Sequence, residues 1–152
     1  MTTIIETERL ILRTWKKEDA RSYFQINQDL KVIEFLRGPL TMEQVNDFIP
    51  AVNRHHAELG YTLWAACLKE TDELIGFIGL NYTDFFSKFD SHFTPAVEVG
   101  WRLGRNIGAK ALPRKGLVLP WSMGLNGVVL KKLFLLQYRQ MFALFVLWKR
   151  LD

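Results

Sequence analysis

The chain has 152 residues, 49% hydrophobic and 24% charged, which is the size and make-up of one globular domain able to bury its own core. Its formal charge of +4 is unevenly held: residues 1–105 carry 15 acidic and 12 basic side chains, whereas residues 106–152 carry 8 basic ones and a single acid, Asp152. The acidic balance of the first two thirds excludes a nucleic-acid-reading face there, the lone Cys67 excludes an internal disulfide and a cysteine metal cluster, and no apolar run reaches the roughly 18 residues of a membrane span. A lone cysteine and the absence of a basic-then-apolar leader point to a reducing, cytoplasmic setting.

The first expected element is a strand over Arg9 to Trp15, an apolar, β-compatible run. Lys17-Glu18-Asp19 then places acids where the first turn of a helix favours them, and Tyr23, Phe24, Ile26 and Asn27 continue that helix. Gly38-Pro39 breaks the chain. Thr41, with Gln44 three residues on, reads as a capping box opening a second helix. Val45, Phe48, Ile49 and Val52 form its apolar stripe, and Gly60 ends it. From Tyr61 the period falls from 3.6 to 2. Strands are expected over Tyr61 to Leu68 and Leu74 to Leu80, joined as a hairpin through Glu70 to Glu73, with a third over Ala96 to Leu103. The loop from Thr83 to Pro95 is rich in aromatic rings. On the third strand Val97, Val99, Trp101 and Leu103 share one face, and Glu98, Gly100 and Arg102 the other. The order β-α-α-β-β-β implies an α+β fold on a mostly antiparallel sheet, one domain over 1–152.

Five segments in this order, ETERLILR (6–13), GPLT (38–41), GYTLWA (60–65), ELIGFIGL (73–80) and FTPAVEVGWRLGR (93–105), resemble the RimJ/RimL-like branch of the GNAT superfamily of N-acetyltransferases. The resemblance implies a GNAT fold and transfer of acetyl from acetyl-CoA to a primary amine, a protein N-terminus or a small molecule. It implies Glu98 as the base, acting through a water. It also implies the main chain of Trp101, Arg102 and Leu103, with Arg105 and Asn106, as the acetyl-CoA contacts, and Trp64, Asn81 and Phe93 as contacts to the acceptor. It implies no metal, nucleic acid or membrane. The residues have plainer readings too. Trp64 and Trp101 fit core positions, Cys67 a small core residue, and His55-His56 the end of a helix, where imidazolium suits the dipole. An α-amino group, with a pKa of about 8, is more easily neutral at pH 7 than a lysine near 10.4, which favours N-terminal or small amines.

After Arg105 the resemblance stops. The superfamily has a glycine-rich loop there, opening a helix whose backbone N–H groups take the pyrophosphate. Asn106 to Gly116 instead offers Gly108 as the one glycine near its start and sets Pro113 where the helix interior belongs, at a cost of about 3 kcal/mol or more. Codons permitted for Asn106 to Gly116, read from the last base of codon 106, give Y-W-G-K-G-F-A-T-E-G, the missing loop and helix start. The same offset over Lys131 to Lys149 permits E-I-V-S-F-T-V-S-T-N-V-R-S-I-R-V-M-E-K, resembling the superfamily's next strand and helix. The sequence therefore reads as family-like to residue 105 and one nucleotide out of frame beyond it, with acetyl-CoA binding weakened or lost. The competing expectation is an inactive remnant or an interaction module with a basic, apolar tail.

Overall fold

The computed structural model describes residues 1–83 and 96–105, together with short strands within 117–147. The architecture is α+β, as the sequence implies. Strands β1 (Thr3–Glu6), β2 (Leu10–Arg13), β3 (Leu63–Leu68), β4 (Leu74–Thr83) and β5 (Ala96–Leu103) lie side by side in that order, antiparallel throughout. Helices α1 (Asp19–Ile26) and α2 (Met42–Leu59) fall between β2 and β3. Five short strands follow: β6 (Leu117–Leu119), β7 (Gly124–Leu125), β8 (Val128–Val129), β9 (Leu133–Leu135) and β10 (Val146–Leu147). Of these, β10 pairs antiparallel with β5, opposite Val97 and Glu98, while β6 pairs with β9 and β7 with β8.

The expected elements form where their local chemistry dictates. Thr41 accepts from the Gln44 backbone N–H and the Gln44 side chain accepts from the Thr41 backbone N–H, so the capping box is complete. Gly60 closes α2 in the left-handed region. The helix runs through Pro50, whose missing donor is tolerated because Val45, Ile49 and Val52 are buried on either side of it. Strand ends differ from the sequence reading: β3 begins at Leu63 rather than Tyr61, and β4 runs on past Leu80 to Thr83. The strand expected to reach Trp15 ends at Arg13, since the Trp15 backbone N–H turns to Asn53 Oδ1 at 3.0 Å. The edge strand β1 was not foreseen, because its four residues, Thr3–Glu6, show no period-2 pattern.

The sheet buries both faces. On the helix side Trp15, Tyr23, Val45, Ile49 and Val52 pack on Ala65, Cys67, Leu74 and Phe77. On the other side Leu10, Leu12, Trp64, Ala66, Ile75, Ile78, Leu80 and Val99 form a second cluster. Each large side chain so buried contributes roughly 1.5–3 kcal/mol.

Close backbone contact holds β4 in the centre. Gly76 sits at φ 140°, where a Cβ would meet the Arg102 carbonyl oxygen at 1.9 Å, and a Cβ on Gly79 would meet that of Thr62 at 2.0 Å. Gly76→Ala and Gly79→Ala are each expected to abolish soluble folding. Gly100→Ala meets side chains rather than backbone, Leu63 at 3.2 Å and Phe77 at 3.9 Å, and should cost about 1–3 kcal/mol in urea unfolding.

Candidate active site on strand β5

Among the described residues, strand β5 is paired along its whole length on one side and along only part of the other. On the inner side its register with β4 runs from Thr83↔Ala96 to Gly76↔Leu103. The Gly104 N–H donates to the Ile75 carbonyl at 2.9 Å, so Gly104 turns its main chain to β4. Main-chain direction alternates along a strand. Arg102 and Gly100 therefore also face β4, and Trp101 and Leu103 turn their N–H and C=O groups to the outer edge. That phase agrees with the other side of β4, where the Leu80 N–H donates to the Thr62 carbonyl just before β3. On the outer side β10 covers Val97 and Glu98, and no described strand lies opposite Trp101 or Leu103. The result is a strand edge with two outward pairs of amide groups, the arrangement that an extended amide-bearing ligand can pair with.

This phase corrects one expectation. Arg102 does not offer its main chain to the outer edge, because that main chain is spent on β4. Its side chain instead turns to the helix layer. Arg102 Nη1 donates to Asn27 Oδ1 and, at 3.3 Å, to the Tyr23 hydroxyl, and the guanidinium lies 5.6 Å from the centre of the Phe77 ring. Burial pushes the Tyr23 phenol above its ordinary value, and the adjacent Arg102 charge offsets part of that rise. Trp101 and Leu103 are half-buried against the cluster on the opposite face. Arg105 is exposed just past the strand.

The other candidates divide. Glu98 stands opposite Asn81 in the β4–β5 register and opposite Val146 on β10. Asn81 is half-buried. The Glu98 side chain, Phe93 and Asn106 lie outside the described residues. Trp64 is 0% exposed, and its indole N–H approaches His56 Nδ1 at 3.5 Å. It belongs to the core, where an acceptor cannot touch it, so its place among the acceptor contacts is corrected. His56, at the end of α2, is thereby engaged with that indole. Burial pushes the Cys67 thiol up to about 11, so it stays protonated at neutral pH and is no nucleophile. Among the described residues no three His, Cys, Asp or Glu side chains gather as a metal site, and no helix is long and apolar enough to cross a membrane. Sequence reading missed the pairing of Tyr23 and Asn27 with Arg102. Nothing in the local pattern marks it, because the partners are 79 and 75 residues apart.

The family model of the GNAT acetyltransferase domain matches residues 9–114. The chain belongs to the GNAT acetyltransferase family. The match extends past Arg105, the limit drawn from the sequence. An uncharacterised N-acetyltransferase, p20, of Bacillus licheniformis is 34% identical over 106 residues, which are 68% of this chain and 56% of the relative. The chain thus spans about half the length of that relative. A Bordetella pertussis structure assigned to the GNAT family superposes with a TM-score of 0.54 at 17% identity, covering 72% of this chain and 66% of that one. A GNAT-family acetyltransferase from Bacillus anthracis gives 0.47 at 20% identity, covering 66% and 52%. The fold is that of the GNAT family.

Proposed function

We propose that this GNAT domain transfers acetyl from acetyl-CoA to a primary amine, in the cytoplasm, and that its chain beyond residue 105 is read one nucleotide out of frame. The observation that carries the transfer is the outer edge of β5. Trp101 and Leu103 present the paired donors and acceptors that the pantetheine amides need, and family membership gives that edge its use. In the proposed step the neutral amine attacks the thioester carbonyl. A C–N bond forms, the oxygen gains charge that a β5 N–H can take, and the C–S bond then breaks to release CoA. Glu98, through a water, receives the amine proton. The acceptor is a protein N-terminus or a small amine, matching the resemblance to RimJ/RimL-like enzymes.

The reading of the tail rests on the two superfamily motifs that one offset recovers from residues 106–116 and 131–149. It is supported by the change from 15 acids before Asn106 to one after it. Calorimetry of the chain with acetyl-CoA tests the function. Binding in the high-micromolar to millimolar range is expected, since the donor edge is present and the sequence after Arg105 lacks the glycine-rich pattern of the phosphate loop. No binding, combined with association with anionic liposomes, would favour an interaction module built on the basic tail. In a chain with the frame restored, Glu98→Gln should lower kcat by about 100-fold or more while leaving acetyl-CoA affinity unchanged. An unchanged kcat would remove Glu98 from the mechanism.

A further inference from the structure

We infer that Arg102 is a positioning residue of this site: it latches the exit of α1, and with it the connection over residues 27–41, to the strand whose outer edge takes the acetyl donor. The inference rests on the proposed use of β5. Two features of Arg102 meet in one residue. Its main chain is locked to β4 opposite Phe77, between the two residues whose amides face outward, so its Cα cannot move without moving the donor edge. Its side chain crosses to α1 and ends on Asn27 Oδ1 and the Tyr23 hydroxyl.

The receiving end is built to be stiff. Asn27 is 0% exposed and caps α1, with its backbone N–H on the Tyr23 and Phe24 carbonyls. Its Nδ2 donates to the Tyr23 carbonyl at 2.7 Å, which fixes the amide orientation and leaves Oδ1 for Arg102. Tyr23 is itself 1% exposed and stacked on Phe48 of α2. Immediately after Asn27 the chain enters the connection to α2, which exposes Leu30 and Phe35.

The buried guanidinium of Arg13, on the same sheet, is held differently. Arg13 takes both carboxylate oxygens of Asp19, at 2.7 and 2.9 Å. Arg102 has, among the described residues, only neutral partners, and its buried Nε has no hydrogen-bond partner. Leaving a buried charged donor unpaired is costly. A carboxylate at position 27 or 23 would have satisfied it. The choice of an amide and a phenol holds the geometry between strand and helix without neutralising the cation.

Hydrogen exchange on the full chain tests the latch. Arg102→Met is expected to speed exchange of the amides of residues 28–36 at least tenfold while those in the middle of β3 and β4 keep their rates. Arg102→Lys, which can still donate to Asn27 Oδ1, should recover part of the protection. In acetyl transfer by the frame-restored chain, Arg102→Met should lower kcat/KM at least tenfold and Arg102→Lys should recover part of it, a rescue that loss of packing alone does not give. Unchanged exchange at 28–36, or an equal rise throughout β3 and β4, overturns the inference. If Arg102→Met fails to fold, Tyr23→Phe removes only the 3.3 Å contact and decides on the same pattern, with a change of about threefold expected. Failure of the frame-restored chain to bind acetyl-CoA sinks the use of β5 as a donor edge, whereas the exchange pattern still judges the latch.

Discussion

Inserting one nucleotide at codon 106, so that the downstream codons return to the recovered frame, should tighten acetyl-CoA binding by about 100-fold or more. The physical reason is the pyrophosphate. A glycine-rich turn at a helix N-terminus aims several backbone N–H groups at it, and each hydrogen bond to a charged group contributes about 1.5–3 kcal/mol. Two such bonds amount to roughly 3–6 kcal/mol, or a factor of 100 to 10,000 in affinity. The residues now following Arg105 include Pro113 and one early glycine, Gly108, and lack the sequence pattern of that turn. Calorimetry on the two chains, side by side, measures the difference. Equal affinities would show that residues 106–116 as written already serve the phosphates, and the out-of-frame reading would fall.

The second large effect is structural. Arg13 and Asp19 are 1% and 6% exposed and joined through both carboxylate oxygens, at 2.7 and 2.9 Å. Hydrogen bonding to Asp19 raises the Arg13 pKa further, so the guanidinium remains charged. Asp19 also accepts from the Lys16 backbone N–H at 2.7 Å, which fixes the turn into α1. Asp19→Ala leaves a buried cation without its carboxylate and is expected to cost about 3–5 kcal/mol, lowering Tm by roughly 10 °C. Replacing both partners, as Arg13→Met with Asp19→Leu, should return most of that loss, because no charge is then left uncompensated. The outer pair behaves differently. Lys16 hydrogen-bonds Asp72 at 2.6 Å and holds its carboxyl below the usual range, but Asp72 is half exposed. Its folded pKa is depressed, so its contribution is present at neutral pH and disappears as pH falls through the folded value. Lys16→Ala should change stability by less than about 1 kcal/mol.

The parts of this fold that depend on short-range chemistry were legible in the chain. Thr41 and Gln44 announce the start of α2, Gly60 its end, and the alternation from Ala96 to Leu103 sets β5 to the residue. Long-range facts were not. Which residues of β5 turn their amides to the outer edge depends on the phase of its pairing with β4, and that phase is fixed by Gly104 reaching Ile75, a contact no local pattern encodes. For the same reason Arg102 was placed among main-chain contacts when its main chain faces β4 and its side chain serves α1. Trp64 looked ambiguous because a tryptophan suits both a core and a stacking surface. Only the pairing of β3 between β2 and β4 puts it in the interior.

An amide-resolved NMR titration with acetyl-CoA up to ten millimolar tests the use of β5 most directly. The alternation of the strand predicts large, saturable shifts at the N–H groups of Trp101 and Leu103, and small ones at Gly100, Arg102 and Gly104, whose N–H groups are committed to β4. Saturable shifts that ignore this alternation, or that gather away from β5, in this chain and in its frame-restored form alike, would contradict the assignment of the outer edge of β5 to the acetyl donor.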